Sequence, residues 1–319
     1  MIEVILTALV VSSGIALAAA GITIIYMSTE TFNFAHASFT AMGFFVVYHM
    51  LLLFGGSPYY YFPFAALFTG LVGVLVYLTV NKWLIKRGAD MVTLMMSTLG
   101  VDLILFGLIN HWADFIKSTI PESQPRNFLL RNMDPIFNLG FIEIPARIPI
   151  SLILVVAIIL SLHFFLTHTK FGIAMRTTIE NPTLARVMGV NTDMVYLTAW
   201  FIGAALAGLG GAILSMIDTG SPIVGIRYIV PLFAGAIVGG LYSVFGSLLG
   251  GFLIGLSQQI GIYLVALSIG SQFIAYKPAI PLIIMVLALL FFPEGLGSLQ
   301  AKLRGRLFTK PKVVGGGGK

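Results

Sequence analysis

The sequence predicts an all-α fold: a polytopic integral membrane protein with about eight or nine transmembrane segments, one of them short or broken. Three observations carry this reading. Of 319 residues, 58% are hydrophobic and only 9% are charged, and mean hydropathy is +1.00, values that a water-facing domain does not sustain over such a length. Segments such as 4–27 and 148–168 run without an Asp, Glu, Lys or Arg, the second holding only His163 and a terminal His168, long enough as helix to cross about 30 Å of hydrocarbon. The strict alternation over strands of about 10 residues that a membrane barrel needs is missing.

The elements follow in order. The first apolar run is preceded by Glu3 and by no Lys or Arg, which predicts a first span rather than a cleaved leader. Spans are expected at 4–28, 35–54, 60–80, 91–111, 148–168, 195–217, 246–266 and 277–293, with a shorter piece at 229–241 as a half-span or re-entrant segment. Counting that piece as a crossing puts the N-terminus outside and the C-terminus inside. Twelve of the eighteen Lys and Arg lie in three places: Lys82, Lys86 and Arg87; Lys170, Arg176 and Arg186; and Lys302, Arg304, Arg306, Lys310, Lys312 and Lys319. The positive-inside rule assigns all three to the cytoplasm. The chain therefore divides into a transmembrane domain, 1–294, and a basic cytoplasmic tail, 295–319. Within the first, 169–194 is a cytoplasmic loop and 113–149 an external one, where Lys117, Arg126, Arg131 and Arg147 are balanced by Asp114, Glu122, Asp134 and Glu143. The net charge of +6 is thus placed for anionic lipid headgroups rather than for nucleic acid. With no cysteine, disulfides and thiolate metal sites are excluded.

Glycine clusters inside the spans. Gly235/Gly239, Gly246/Gly250 and Gly251/Gly255 have small-xxx-small spacing, and Ala204, Gly208 and Ala212 continue it, which lets helix backbones approach closely in lipid. A broken helix is expected around Gly240–Ser247.

The cytoplasmic loop contains RTTIENPTLARVMGVNTD, Arg176 to Asp193. Asn181 suits an N-cap, Pro182 the first helical position and Gly189 the left-handed residue past the end, which predicts a helix over 182–188. Leu184, Val187 and Met188 share one face of it. So short a helix is marginal alone in water, so that face must pack either on its own membrane domain or on a partner subunit.

The run Arg176, Glu180, Asn181, Ala185, Arg186, Gly189, Val190, Asn191, Asp193, followed by a small-residue span, resembles the cytoplasmic loop of branched-chain amino-acid ABC importer permeases. FNFAHASFTAMG (Phe32–Gly43), GAIVGGLYSVFGSLLGGFLIG (Gly235–Gly255) and FFPEGLGSL (Phe291–Leu299) are similar to that family as well. Ala37 and Asp102 depart from its usual residues. The resemblance implies a permease subunit of an ATP-driven importer in the plasma or inner membrane. It further implies pairing with a second, homologous permease, two ATP-binding subunits on the cytoplasmic side and an extracytoplasmic substrate-binding protein. By the same resemblance Arg176, Glu180, Asn181, Pro182, Leu184, Ala185, Arg186, Val187 and Gly189 belong to a coupling helix that docks on an ATPase.

No phosphate-binding G-x-x-x-x-G-K-[ST] is present, and the terminal Gly315–Lys319 run lacks the Ser/Thr and the helix. No cofactor is expected on this chain; ATP would be bound by partner subunits. Candidate pathway residues are Asn33, His36, Ser38 and Thr40, at the mouth of a span where a break would expose backbone to substrate, together with Asp102 and Gln258 inside spans. The alternatives for Asn33 and His36 are capping and anchoring at the interface, and for Asp102 a structural hydrogen bond. Two other functions are open: a permease for urea, short amides or other small polar solutes, and a stand-alone proton- or sodium-coupled transporter, for which Asp102 speaks. An enzyme is not expected, because neither H-E-x-x-H nor G-x-S-x-G occurs.

Overall fold

The computed structural model describes residues 2–138, 143–292 and 295–297. Twelve α-helices follow in order: α1 (Ile2–Thr29), α2 (His36–Phe54), α3 (Phe62–Val76), α4 (Lys82–Lys86), α5 (Met91–Thr119), α6 (Arg147–His168), α7 (Lys170–Glu180), α8 (Pro182–Val187), α9 (Thr192–Leu214), α10 (Val224–Gly239), α11 (Val244–Ser268) and α12 (Ala279–Phe291). A π-helical turn, Tyr77–Asn81, joins α3 to α4 without a break. The short strands β1 (Ile136–Asn138) and β2 (Glu143–Pro145) pair antiparallel, with Phe137 opposite Ile144. Among the described residues seven segments are long and apolar enough to span a membrane, and α10 and α12 are shorter. At 16 and 13 residues these reach about 24 and 20 Å, less than the hydrocarbon thickness.

The first span is the centre of the bundle. Along α1 the residues Ser12, Ser13, Gly14, Ala16, Ala18, Ala19, Ala20 and Gly21 are all buried, so a helix with small or apolar residues all round is enclosed on every side. Its neighbours come close through glycines. A Cβ on Gly210 would collide with the Gly14 carbonyl, one on Gly203 with Ile25, and one on Gly251 with Ala16. The α10/α11 pair does the same through Gly235 on Gly251 and Gly239 on Gly246, the glycines whose spacing stood out in the sequence. By contrast α6 exposes most of its side chains to the surroundings.

Several boundaries differ from expectation: the third span runs on to Lys86, α9 is shifted about three residues toward the N-terminus and α10 begins at Val224 rather than 229, and two further differences have a local cause. Helix α5 continues to Thr119, into the expected external loop, because Ala113 and Ile116 are fully buried and hold the polar last turns against the core. The expected span 277–293 shrinks to α12, since Pro278 and Pro281 sit at its start and the chain before them is a 3-10 turn, Ser271–Tyr276. The basic tail from 298 onward, and Pro293, Glu294, Ser298 and Leu299 of the FFPEGLGSL ending, lie outside the described residues.

Contacts sort the loops between two faces. On one, Arg131 bonds Glu3, Tyr59 donates to Asp134, the buried pair Arg147–Asp134 closes at 2.7 Å, and Phe128 pairs with Gly220 through backbone bonds. On the other, Lys82 lies 3.1 Å and Lys86 3.6 Å from Asp193, and Gly295 meets Gly240. The second face carries the basic loops, which the positive-inside rule predicts to be cytoplasmic. There Asp90 caps α5, and bonds from the Thr93 hydroxyl and then the Thr93 N–H hold its carboxyl below the usual range.

Cysteines introduced at Lys86 and Arg186 into this cysteine-free chain will react with a membrane-impermeant thiol reagent only after the membrane is opened. One at Glu122 will react in intact cells; outside labelling of position 186 overturns this orientation. Packing gives a second expectation. A side chain at Gly208 would strike Thr69, while Gly107 faces open space. Gly208→Leu will lower stability by about 3 kcal/mol, read as lost monodisperse protein in detergent size exclusion, and Gly107→Ala will leave the profile unchanged.

Candidate functional site

The sequence-predicted pathway residues fall where α1 and α2 are interrupted. Helix α1 ends at Thr29, and Glu30 takes φ +50°, the one positive φ outside glycine among the described residues. An extended segment then leads to α2, whose first residue, His36, places Nε2 2.8 Å from the Ala18 carbonyl oxygen, in the middle of α1. Since α1 runs on for 11 residues beyond Ala18, about 16 Å, the chain must climb back into the bundle before α2 begins. That is a re-entrant start, and its backbone needs partners away from water.

Helix α5 supplies them. Thr98 Oγ1 accepts from Phe34 N at 3.1 Å, and its one proton is shared between the Phe32 carbonyl at 3.0 Å and the Met95 carbonyl of α5 at 2.8 Å. One turn along, Asp102 Oδ1 accepts from Ser38 N at 3.2 Å and from Ser38 Oγ at 2.6 Å. Ser38 N belongs to the first turn of α2, where amides have no intrahelical acceptor, so Asp102 caps α2 from a neighbouring helix and sets a negative charge against its positive dipole end. Thr40 Oγ1 is turned onto the His36 carbonyl within α2 at 3.0 Å.

Asn33 and His36 are fully buried. Neither caps α2, whose N-cap is Ala35 without a side-chain bond, and neither lies at a wet interface. Both side-chain atoms of Asn33 and His36 Nδ1 have no hydrogen-bond partner. Around them Phe34 stacks on Phe233 with ring centres 5.2 Å apart, and Phe32 sits 4.6 Å from Tyr26.

Gln258 does not join this group. Gly255 packs on Ser12 and Gly251 on Ala16, so Gln258 lies near residue 9 of α1, about 14 Å along the axis from Ala18. It is buried, while Gln259 faces a cavity of about 300 Å³ shared with Glu3, Thr7 and Tyr263. Thr98, Phe233 and the Ala18 carbonyl were missed in the sequence. Thr98 stands four residues before Asp102, hence on the same helix face, and that spacing was the available signal.

The second candidate element lies on the face that carries the basic loops. Asn181 Oδ1 accepts from Leu184 N at 2.9 Å, and Val190 N reaches the Ala185 carbonyl at 2.9 Å and Gly189 N that of Arg186 at 3.0 Å, with Gly189 at φ +84°. These are an Asx N-cap and a Schellman C-cap on a helix of six residues, Pro182–Val187. Ala185 faces inward at 4% exposure, whereas Leu184, Val187 and Met188 are 58%, 78% and 76% exposed. Arg176 and Glu180 are exposed on α7, and Arg186 Nε bonds Thr192 Oγ1 at 2.8 Å, tying α8 to the foot of α9. Among the described residues no group of His, Asp or Glu is placed to hold a metal.

An enclosed central helix, re-entrant half-spans and a capped cytoplasmic helix define a multi-pass membrane permease. The model of the family described as branched-chain amino acid transport system, permease component, matches residues 4–289, and the chain belongs to that family. It is 36% identical over 303 residues to a probable branched-chain amino acid transport permease, LivH, of Methanocaldococcus jannaschii, covering 95% of this chain and 94% of the relative. It is 24% identical to the high-affinity branched-chain amino acid permease BraD of Pseudomonas aeruginosa over 90% of this chain and 92% of the relative. With LivH of Escherichia coli identity is 25%, over 88% and 90%. No solved structure matches. The chain is a multi-pass protein of the cell membrane, and its relatives are transport permeases rather than enzymes.

Asp102→Asn keeps the acceptor that Ser38 needs and removes the charge opposite the α2 dipole, a loss of about 1 kcal/mol. Uptake at saturating substrate is therefore retained with a melting point a few degrees lower, about 2–4 °C. Complete loss of uptake at normal expression overturns the capping role and points to proton coupling.

Proposed function

We propose that this chain is the membrane-spanning subunit of an ATP-driven importer of branched-chain or related amino acids. A second homologous permease completes the pathway, two ATP-binding subunits dock below it and an extracytoplasmic binding protein delivers substrate. The observation that carries the reading is α8. Its caps fix it as a rigid helix, yet Leu184, Val187 and Met188 face away from the rest of the chain. Apolar side chains presented this way on a short, pre-formed helix suit insertion into a groove of another subunit. The chain has no phosphate loop, so the groove belongs to the subunit that binds ATP.

Closure of the ATPases would then displace α8, and α8 is joined to α9 by the Arg186–Thr192 bond and the 3.2 Å cap from Asn191 to Met194 N. Helix α9 in turn touches the interruption, through Trp200 Nε1 on Thr29 Oγ1 at 3.3 Å. Rocking of α9 as a rigid body would open and close the re-entrant segment. The proton-coupled reading drew on Asp102, whose Oδ1 is engaged by Ser38 as a clamp on α2.

Leu184→Asp will insert into the membrane normally, lose its co-purifying ATPase and stop uptake, because a charge is forced into the docking interface. Asn181→Ala, which removes about 1 kcal/mol of helix stability, will weaken the same assembly by degrees. Normal uptake by Leu184→Asp removes the main physical support for an ATPase partner.

A further inference from the structure

We infer that the turn Asn33–His36, at the interruption between α1 and α2, receives the ammonium group of the transported amino acid. This rests on the transport function proposed above and assigns a chemistry to the site. Three polar atoms there, Asn33 Oδ1, Asn33 Nδ2 and His36 Nδ1, are buried and unpartnered, on residues with no exposed surface. Both residues belong to one turn, closed by His36 N on the Asn33 carbonyl at 3.3 Å.

The inventory of bonds sets the ligand. His36 Nε2 faces a carbonyl oxygen, which only accepts, so Nε2 carries the proton and Nδ1 presents a lone pair. Asn33 offers one acceptor and one NH₂ group whichever way its amide is turned. Acceptors therefore exceed donor groups. Asp102 engages Ser38, two residues beyond His36, and among the described residues no Lys or Arg forms an ion pair with it, the six ion pairs all lying elsewhere. The first turn of α2 would ordinarily attract an anion, but its Ser38 amide is already taken by that carboxylate. A second carboxylate would meet lone pairs and a like charge. A primary ammonium has three N–H donors and a charge of the right sign, and Phe32 and Phe34, on the same segment, pack with Phe233 into an apolar cluster that suits an aliphatic chain.

The test uses the chain purified with the subunits that accompany it, read by melting temperature in the presence of L-leucine, isoamylamine (the amine without the carboxylate) or isocaproate (the carboxylate without the amine). Leucine and isoamylamine are expected to raise the melting temperature by about 2–4 °C, and isocaproate to leave it unchanged. Asn33→Leu replaces an unpartnered amide by an apolar side chain of similar size, so without ligand it should melt at or above the wild type, while losing both shifts. If Asn33→Leu does not fold, Asn33→Ala takes its place. A shift with isocaproate but not isoamylamine overturns the inference, as does a leucine shift that survives at Asn33. A shift with sodium chloride over choline chloride as large as that with leucine overturns it too, by assigning the turn to an inorganic cation. ATP-dependent uptake of labelled leucine by the wild type tests the importer reading separately: uptake with the wrong ligand pattern sinks only the ammonium site, and the right pattern without uptake sinks only the importer.

Discussion

An interrupted helix inside a membrane has to satisfy its freed backbone groups from protein, because lipid offers none. The arrangement around residues 30–38 follows from that requirement. The Phe32 carbonyl and the Phe34 amide are both met by one hydroxyl, Thr98 Oγ1, and the Ser38 amide by one carboxylate, Asp102. Two residues on one face of α5 thereby hold open a re-entrant start that α1 and α2 alone would not support. Asp102 is costly at such a depth in any other role, and its cost is offset by the charge-assisted bonds it makes to a helix N-terminus.

Close packing is the complement of that break. A half-span leaves its neighbours to fill the missing length, and they do so by approaching through small residues rather than by large side chains. Gly225 of α10 lies against the Ala37 carbonyl in the first turn of α2, Gly211 of α9 against that of Thr40, and Gly43 of α2 against Gly208. Dispersion between backbones at this range is the attraction available in lipid, where water drives no association between helices. The interrupted segment is consequently enclosed by helices α1, α5, α9 and α10, and Asn33 and His36 within it are fully buried.

This explains which parts were legible in the sequence. Helix existence was, since the apolar runs of α1, α2, α6 and α11 are set by composition and length alone. Helix α8 was legible almost to the residue, because Asn181, Pro182 and Gly189 act locally and their effect on backbone geometry needs no tertiary context. The end of α5 was not: polar residues from Asp114 to Lys117 read as loop, and only the burial of Ala113 and Ile116 against other helices keeps them helical. Nor was the company kept by Asn33. The place of the neighbouring His36 beside Ala18 depends on α1 continuing well past the start of α2, a depth relation between two helices that periodicity does not encode. The level of Gln258 was hidden for the same reason: it shares polarity with the others but lies at another depth of the bundle.

Helix α9 connects the two parts that sequence treated separately. Its cytoplasmic end is fixed twice, by the cap of Asn191 on Met194 N and by Asp193 between Lys82 and Lys86, while its middle lies on α1 at Gly203 and on α2 at Gly208. A helix held at its foot and packed without slack along its length cannot be moved at one end alone, because a densely packed interface responds by changing between arrangements rather than by deforming gradually. The side chains that touch the interruption, Trp200 above all, would travel with the foot. Under the importer reading the consequence is mechanical: force applied at Leu184 and Val187 reaches Thr29 through one rigid element, and the turn carrying Asn33 and His36 is the first place along that route where the backbone is not already held by a regular helix.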